Sequence, residues 1–459
     1  MVEGPSGRGN GHDPGAKPVG EILAVGTRAA GSARIVMEEA PRAGEPVLRW
    51  QSRAHSIEEI ERELARIWAE PNLETLIEGE PGRRVAARTS VMNLVVIARR
   101  PEIGERCAAT IQLLTGRHPS RTLIVTSADP DGPSWLDAQV QAHCVLPHHD
   151  VAEVCAEMIY LSAGGESGRH LDAIVAPLLI HDLPVTIWWP DEPPLGTAPA
   201  RDILAVADRL IVDGSTWSGD GLGRLRQLAA LVTETKLVVR DSALVRQSRW
   251  REAIAMIFDL PEFTPFLESV RRISVAYATH DESGAPGSTN VVKPVYHVAW
   301  LGSRLGMRVV EPLEYVRAAR PRAASPGRGT VRAARPATAT VGGGLAATLL
   351  ANRHRVAVVV RPVVSPMPAG TTLRVELLAD RRGSELRADV TAVAESVNVR
   401  VWLDGIHSHE RTFKAPRLTE VELIGEAIEL GGRDPVSDGS IALAGELAER
   451  MPLPGSHGR

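Results

Sequence analysis

Between residues 91 and 233 short apolar runs alternate with amphipathic stretches. Val91–Ala98, Thr122–Thr126, Leu136–Val145, Pro184–Trp189 and Arg209–Val212 read as strands. Glu102–Leu114, Val151–Leu161, His170–His181 and Leu222–Thr233 read as helices. Strands alternating with helices of this length predict an α/β layer fold with a largely parallel sheet. An earlier helix starts at Ser56, which can cap it. Glu59 completes a capping box, and Ile57, Ile60, Leu64, Ile67 and Trp68 form one apolar stripe.

Past Lys236 the pattern changes. Trp250–Asp259 is helical with Ile254, Ile257 and Phe258 on one side, Arg272–Ala278 is a strand, and Thr289–Gly302 is a helix that Pro294 kinks or starts. Arg355–Arg361, Thr372–Leu378, Leu386–Ala394, Asn398–Leu403 and Arg411–Ala415 read as an antiparallel meander, with turns at Gly370, Arg382-Gly383 and Asp404-Gly405. Thr419–Leu430 and Ser440–Arg450 are closing helices. The expected organisation is an extended or disordered segment over 1–50, an α/β domain over 51–235, and a smaller α+β domain over 236–450. An Arg-, Pro- and Ala-rich linker, 317–345, interrupts the second domain.

Charge excludes some partners. The 459 residues carry a formal net charge of -4, so bulk charge draws the chain to neither nucleic acid nor an anionic membrane. The sequence has no apolar run of about 18 residues and no apolar core near its N-terminus of the kind a secretory signal needs. The cytoplasm is the expected compartment. Cys107, Cys144 and Cys155 are the only cysteines, too few for a secreted disulfide framework.

The search for chemistry finds no dinucleotide or P-loop glycine pattern and no HExxH, CxxC or GxSxG. No catalytic, metal or cofactor residue is expected. Cys144, His148, His149 and Cys155 are zinc-competent but in no standard spacing, and Cys144 could meet Cys155; buried inert thiols are the plainer reading. Arg117, His118 and Arg121 could grip a phosphate or carboxylate, or simply offset the carbonyls of a helix end. Trp188 and Trp189 point to opposite faces of a strand. Trp250, between Arg249 and Arg251, could be an interface anchor. Neighbouring helix positions differ by about 100°, so at least one of the two arginines must lie off the apolar face, available to a partner or an anion.

Four segments carry a resemblance: RTSVMNLVVIA (88–98), RHPSRTLIV (117–125), APLLIHDLPVTIWWP (176–190) with ADRLIVDG (207–214), and VVRDSALVRQSRWREAIAMIFD (238–259). In this order and spacing they resemble the glucose-6-phosphate dehydrogenase assembly protein family, OpcA, strongly over 50–310 and more weakly over 350–450. Asp241, Arg246, Trp250 and Arg251 match a pattern of that family, from which Ser242, Leu244 and Ser248 depart. The resemblance implies a non-catalytic accessory protein of the oxidative pentose phosphate pathway that binds the dehydrogenase and promotes its active oligomer. Arg117, His118, Arg121, Arg246, Trp250 and Arg251 are the candidate partner or anion contacts. The competing reading is an α/β enzyme or small-molecule sensor with its anion site near Arg117–Arg121.

Overall fold

Residues 92–98, MNLVVIA, are buried on both faces, as a strand inside a covered parallel sheet must be. This strand lies at the heart of the first of two large sheets. The computed structural model describes residues 45–69, 90–128, 131–145, 154–280, 288–316 and 343–453, with two-residue strands at Arg34–Ile35, Thr75–Leu76, Arg83–Arg84 and Ala87–Arg88. Most of the 1–50 segment, the arginine-rich stretch as far as residue 342, and His148, His149 and Asp150 lie outside the described residues.

The labelled elements of the first sheet are β1 (Pro46–Ala54), β2 (Met92–Ala98), β3 (Ser120–Ala128), β4 (Trp135–Val145), β5 (Val154–Gly164), β6 (Val185–Trp188), β7 (Arg209–Val212) and β8 (Val238–Asp241). Their order is β1-β4-β5-β3-β2-β6-β7-β8. From β5 to β8 all neighbours are parallel, and β1 and β4 add an antiparallel margin. The largely parallel α/β layer is therefore present.

Its long helices are α1 (Ile57–Ala69), α2 (Pro101–Leu114) and α3 (Leu222–Glu234). Pro101 opens α2, where its missing N–H costs nothing. Gly104 lets α2 press onto the sheet: a Cβ there would stand 2.9 Å from the Ile124 side chain. The stretch 151–161, read as a helix, is strand β5 from Val154 onward. β5 is buried almost throughout between β3 and β4, so its apolar spacing carries no period-2 signal. The helix expected over 170–181 shrinks to Leu171–Val175 plus a single tight turn at Ala176–Leu178, because Pro177 cannot continue it.

After β8 come two short helices, α4 (Ser242–Val245) and α5 (Ser248–Ala255), then β9 (Val270–Thr279), α6 (Val292–Arg304) and β10 (Arg308–Val316). The second sheet adds β11 (Gly344–Ala351), β12 (His354–Val364), β13 (Thr372–Arg381), β14 (Ser384–Val393), β15 (Ser396–Leu403) and β16 (Ile406–Lys414), in the order β10-β11-β12-β9-β13-β14-β15-β16. Of the expected meander, β13–β16 pair in succession, but its first strand, Arg355–Arg361 within β12, does not pair with β13. β9 inserts between them, parallel to β12 and antiparallel to β13. Gly344, placed at the end of a linker, instead opens β11.

Two last helices, α7 (Glu420–Glu429) and α8 (Pro435–Leu447), return to the first sheet. Thr419 and Glu422 close a capping box on α7. Ile424, Ala427 and Ile428 of α7 pack with Ile111 and Leu114 of α2 over Met92 and Leu94 of β2. α8 crosses α3 so closely that a Cβ at Gly445 would lie 2.2 Å from that of Ala229. Arginines fasten this return: Arg209 donates to the Ile428 and Leu430 carbonyls at 2.7 and 3.0 Å, and Arg240 to that of Gly432 at 2.7 Å. From Ala33 onward the chain forms one compact unit.

Candidate functional site

The basic residues singled out between α2 and β3 sit at the amino ends of the parallel strands, opposite the edge where such sheets bind ligands. Each has a partner inside the protein. Arg117 pairs with Glu429 at the end of α7, and the His118 ring nitrogen lies 3.3 Å from the same carboxylate. Arg121 is buried. Its Nε donates to Glu157 at 2.5 Å and its Nη1 to the Leu178 carbonyl at 2.9 Å. Arg117 and His118 thus hold the returning C-terminal helix, while Arg121 joins two neighbouring strands.

Cys144 and Cys155 are bonded to each other across β4 and β5, where they face one another in register, and Cys107 is a buried free thiol that burial pushes up to about 12. The bond overturns the plainer reading of Cys144 and Cys155 as inert thiols, and it joins two strands rather than a strand and a helix.

At the carboxyl edge of β7 and β8 the picture differs. Asp213 directly follows β7, and Asp241 is the last residue of β8. The Asp241 carboxylate is buried and accepts hydrogen bonds from the Tyr296 hydroxyl at 2.7 Å and from the Gly214 and Ala243 amides at 2.8 Å each. Burial, followed by the charge of Asp213, raises its pKa to about 6. Gly214 is required at this contact, because a Cβ would lie 2.6 Å from the Asp241 carboxylate. Arg246 donates to Asp213 at 2.6 Å and to Ser215 Oγ at 3.2 Å.

Helix α6 faces this edge. Gln247 donates its amide N–H to the Lys293 carbonyl at 2.6 Å, and the Trp250 ring lies 5.2 Å from that of His297. Burial, then Arg251 and Lys293, push the His297 pKa down to about 3. Arg251 turns inward and donates to the Leu244 carbonyl at 3.0 Å. Arg249 faces solvent and pairs with Glu252 at 2.8 Å. Of the six residues read from the sequence, Arg246, Trp250 and Arg251 therefore gather here, and Arg117, His118 and Arg121 do not. Asp213, Lys293, Tyr296 and His297 went unmarked. The only sequence trace of Asp213 is an aspartate-glycine step closing an apolar strand, and α6 is brought in by tertiary packing. Nearby, Met256, Ile257 and Leu260 form a shallow open groove with Val399, His409, Arg411 and Phe413.

The inward turn of Arg251 has a measurable consequence. Arg251→Ala is expected to cost about 1.5–3 kcal/mol of stability, the value of a hydrogen bond from a charged group, here half-buried. Arg249→Ala should stay within about 0.5 kcal/mol. Urea unfolding of both variants checks this, and equal costs would show that the two side chains are not so divided.

Residues 112–230 match the family described as the glucose-6-phosphate dehydrogenase subunit N-terminal domain, of OpcA. Over this stretch the chain is similar to the OpcA family. An OxPP cycle protein OpcA of Synechocystis sp. is 28% identical over 185 residues, covering 40% of this chain and 36% of that protein. The OxPP cycle protein OpcA of Nostoc punctiforme is 27% identical over 192 residues, 41% of this chain and 38% of the relative. The matched stretch thus spans well under half the length of each relative. Among solved structures, the transcriptional regulator Gal80p of Kluyveromyces lactis is 10% identical with a TM-score of 0.40, covering 80% of this chain and 92% of that one. The OpcA match runs from the last turn of α2 into α3 and so takes in β3 to β7, a shorter span than the resemblance over 50–310. Among the described residues no helix is long and apolar enough to cross a membrane.

Proposed function

We propose that this protein is a non-catalytic factor that binds glucose-6-phosphate dehydrogenase, promotes its active oligomer and so raises its activity. The observation that carries this reading is the match of residues 112–230 to the dehydrogenase-subunit domain family. The internal pairing of Arg117, His118 and Arg121 weighs against a ligand site at the opposite, amino edge of the sheet. The groove past α5 supports a contact with a partner: exposed Met256 lines it together with Arg411, a mix of arginine and apolar surface suited to an interface.

The test is a kinetic titration of the same organism's dehydrogenase with this chain, together with co-purification. The expected result is a complex and a rise in kcat/KM of about fivefold or more, the size of an ordinary coupling between bound partners. This chain alone should reduce no NADP in the presence of glucose 6-phosphate. Unchanged kcat and KM with no co-purification would refute the reading.

A further inference from the structure

We propose that Lys293, with Arg246 and Arg417 beside it, binds a phosphate dianion, free or carried on a small metabolite, at the carboxyl edge of β7 and β8. This goes beyond the assembly reading, since it concerns the isolated chain.

The place is the one where parallel α/β sheets take ligands. It is also the first turn of α6, where the helix dipole favours negative charge. The start of α6 is held firmly. Asn290 donates to the Gly214 and Trp217 carbonyls at 2.9 and 3.0 Å, and its own amide oxygen accepts from Val292 N at 3.1 Å.

The charges do not balance. Arg246 is matched by Asp213 at 2.6 Å. Among the described residues neither Lys293 nor Arg417 has an ion-pair or hydrogen-bond partner for its side chain, which leaves two positive charges for a ligand that carries two negative ones. Burial and then Arg246 hold the Lys293 ammonium below its ordinary pKa. Asp213 opposes them, and Arg417 adds to the repulsion. An anion seated among these cations relieves that repulsion.

Unpaired buried groups packed next to Lys293 point the same way. One helical turn below Lys293, His297 is 0% exposed, and both its ring nitrogens lack a hydrogen-bond partner among the described residues. Gln247, 3% exposed, holds the Lys293 carbonyl with its amide nitrogen while its amide oxygen is unpartnered. Buried polar groups left unpaired are rare, and several in one place mark a spot that water or a ligand completes.

The experiment is calorimetric titration of the full chain, at constant ionic strength, with inorganic phosphate, glucose 6-phosphate and glucose. Saturable binding of at least one phosphate and none of glucose is expected. Inorganic phosphate binding as well as the sugar phosphate would identify a free-phosphate site, and a clear preference for the sugar phosphate a metabolite site. Lys293→Met and the surface variant Arg417→Ala should each weaken binding by about tenfold or more, as loss of a charge-assisted contact does, while the melting temperature of Arg417→Ala holds. No saturable heat with either phosphate, or parental affinity in both variants, would overturn the proposal. Because the dehydrogenase is absent, failure here leaves the assembly reading to its own test.

Discussion

Replacing Arg121 with alanine should destabilise the protein by about 3–5 kcal/mol, the cost of leaving one member of a buried ion pair alone. Arg121 and Glu157 stand opposite each other on the parallel strands β3 and β5. Their side chains are 6% and 0% exposed. Glu157 also accepts from the Trp68 indole N–H at 2.5 Å, so the pair ties α1 to the sheet. With the guanidinium gone, the carboxylate keeps its burial and loses its counter-charge. Urea unfolding measures the loss. Adding Glu157→Gln to Arg121→Ala should recover part of it, since the uncompensated charge is then removed as well. A single-variant cost under about 1 kcal/mol would mean that solvent already screens the pair.

The second large effect is a pH dependence centred on Asp241. Its folded pKa, raised to about 6, lies above the ordinary value of 3.8. Across that interval the native state holds a proton that the unfolded chain has already released. Stability from this group is therefore fully present below about pH 4, falls as pH rises towards 6, and is flat beyond. The fall amounts to about 3 kcal/mol, from roughly two units at 1.36 kcal/mol each. Asp241→Asn removes the titration and preserves the shape. One amide oxygen can still accept from Gly214 and Ala243, and the amide N–H can donate to the Tyr296 oxygen. This variant should match or exceed the parent's stability at pH 7 and lose the decline below pH 6. Parallel stability profiles for variant and parent would show that another group titrates there.

Much of the fold was legible because burial is one-sided or complete in recognisable ways. The all-buried run of β2, the cap at Thr419 and the alternation along β13–β16 each leave a local trace. β5 misled because a strand enclosed by neighbours shows apolar residues at helix-like spacing by chance. β9 reads plainly as a strand, but nothing local says that it lies between β12 and β13, since its parallel pairing with β12 joins residues some 85 positions apart, as Arg272 with Ala357. The site divides in the same way. Arg117 and His118 were visible as cations, yet their partner Glu429 lies 312 and 311 residues away, so their structural task could not be read. Lys293 and His297 looked like ordinary residues of an apolar helix. Their significance comes from Gln247, Trp250 and Arg246 across the packing, and helical periodicity carries no information about a neighbour's unpaired atoms.

The return of α7 and α8 to the first sheet sets the timing of synthesis. Until residues 420–447 have left the ribosome, the nascent chain shows Leu94, Ile111 and Leu114 to solvent without the Ile424 and Ile428 that cover them. A domain that closes by contacts between distant ends of its sequence folds slowly and exposes sticky surface meanwhile. The first sheet cannot be finished before α7 has been made, however early its strands emerge.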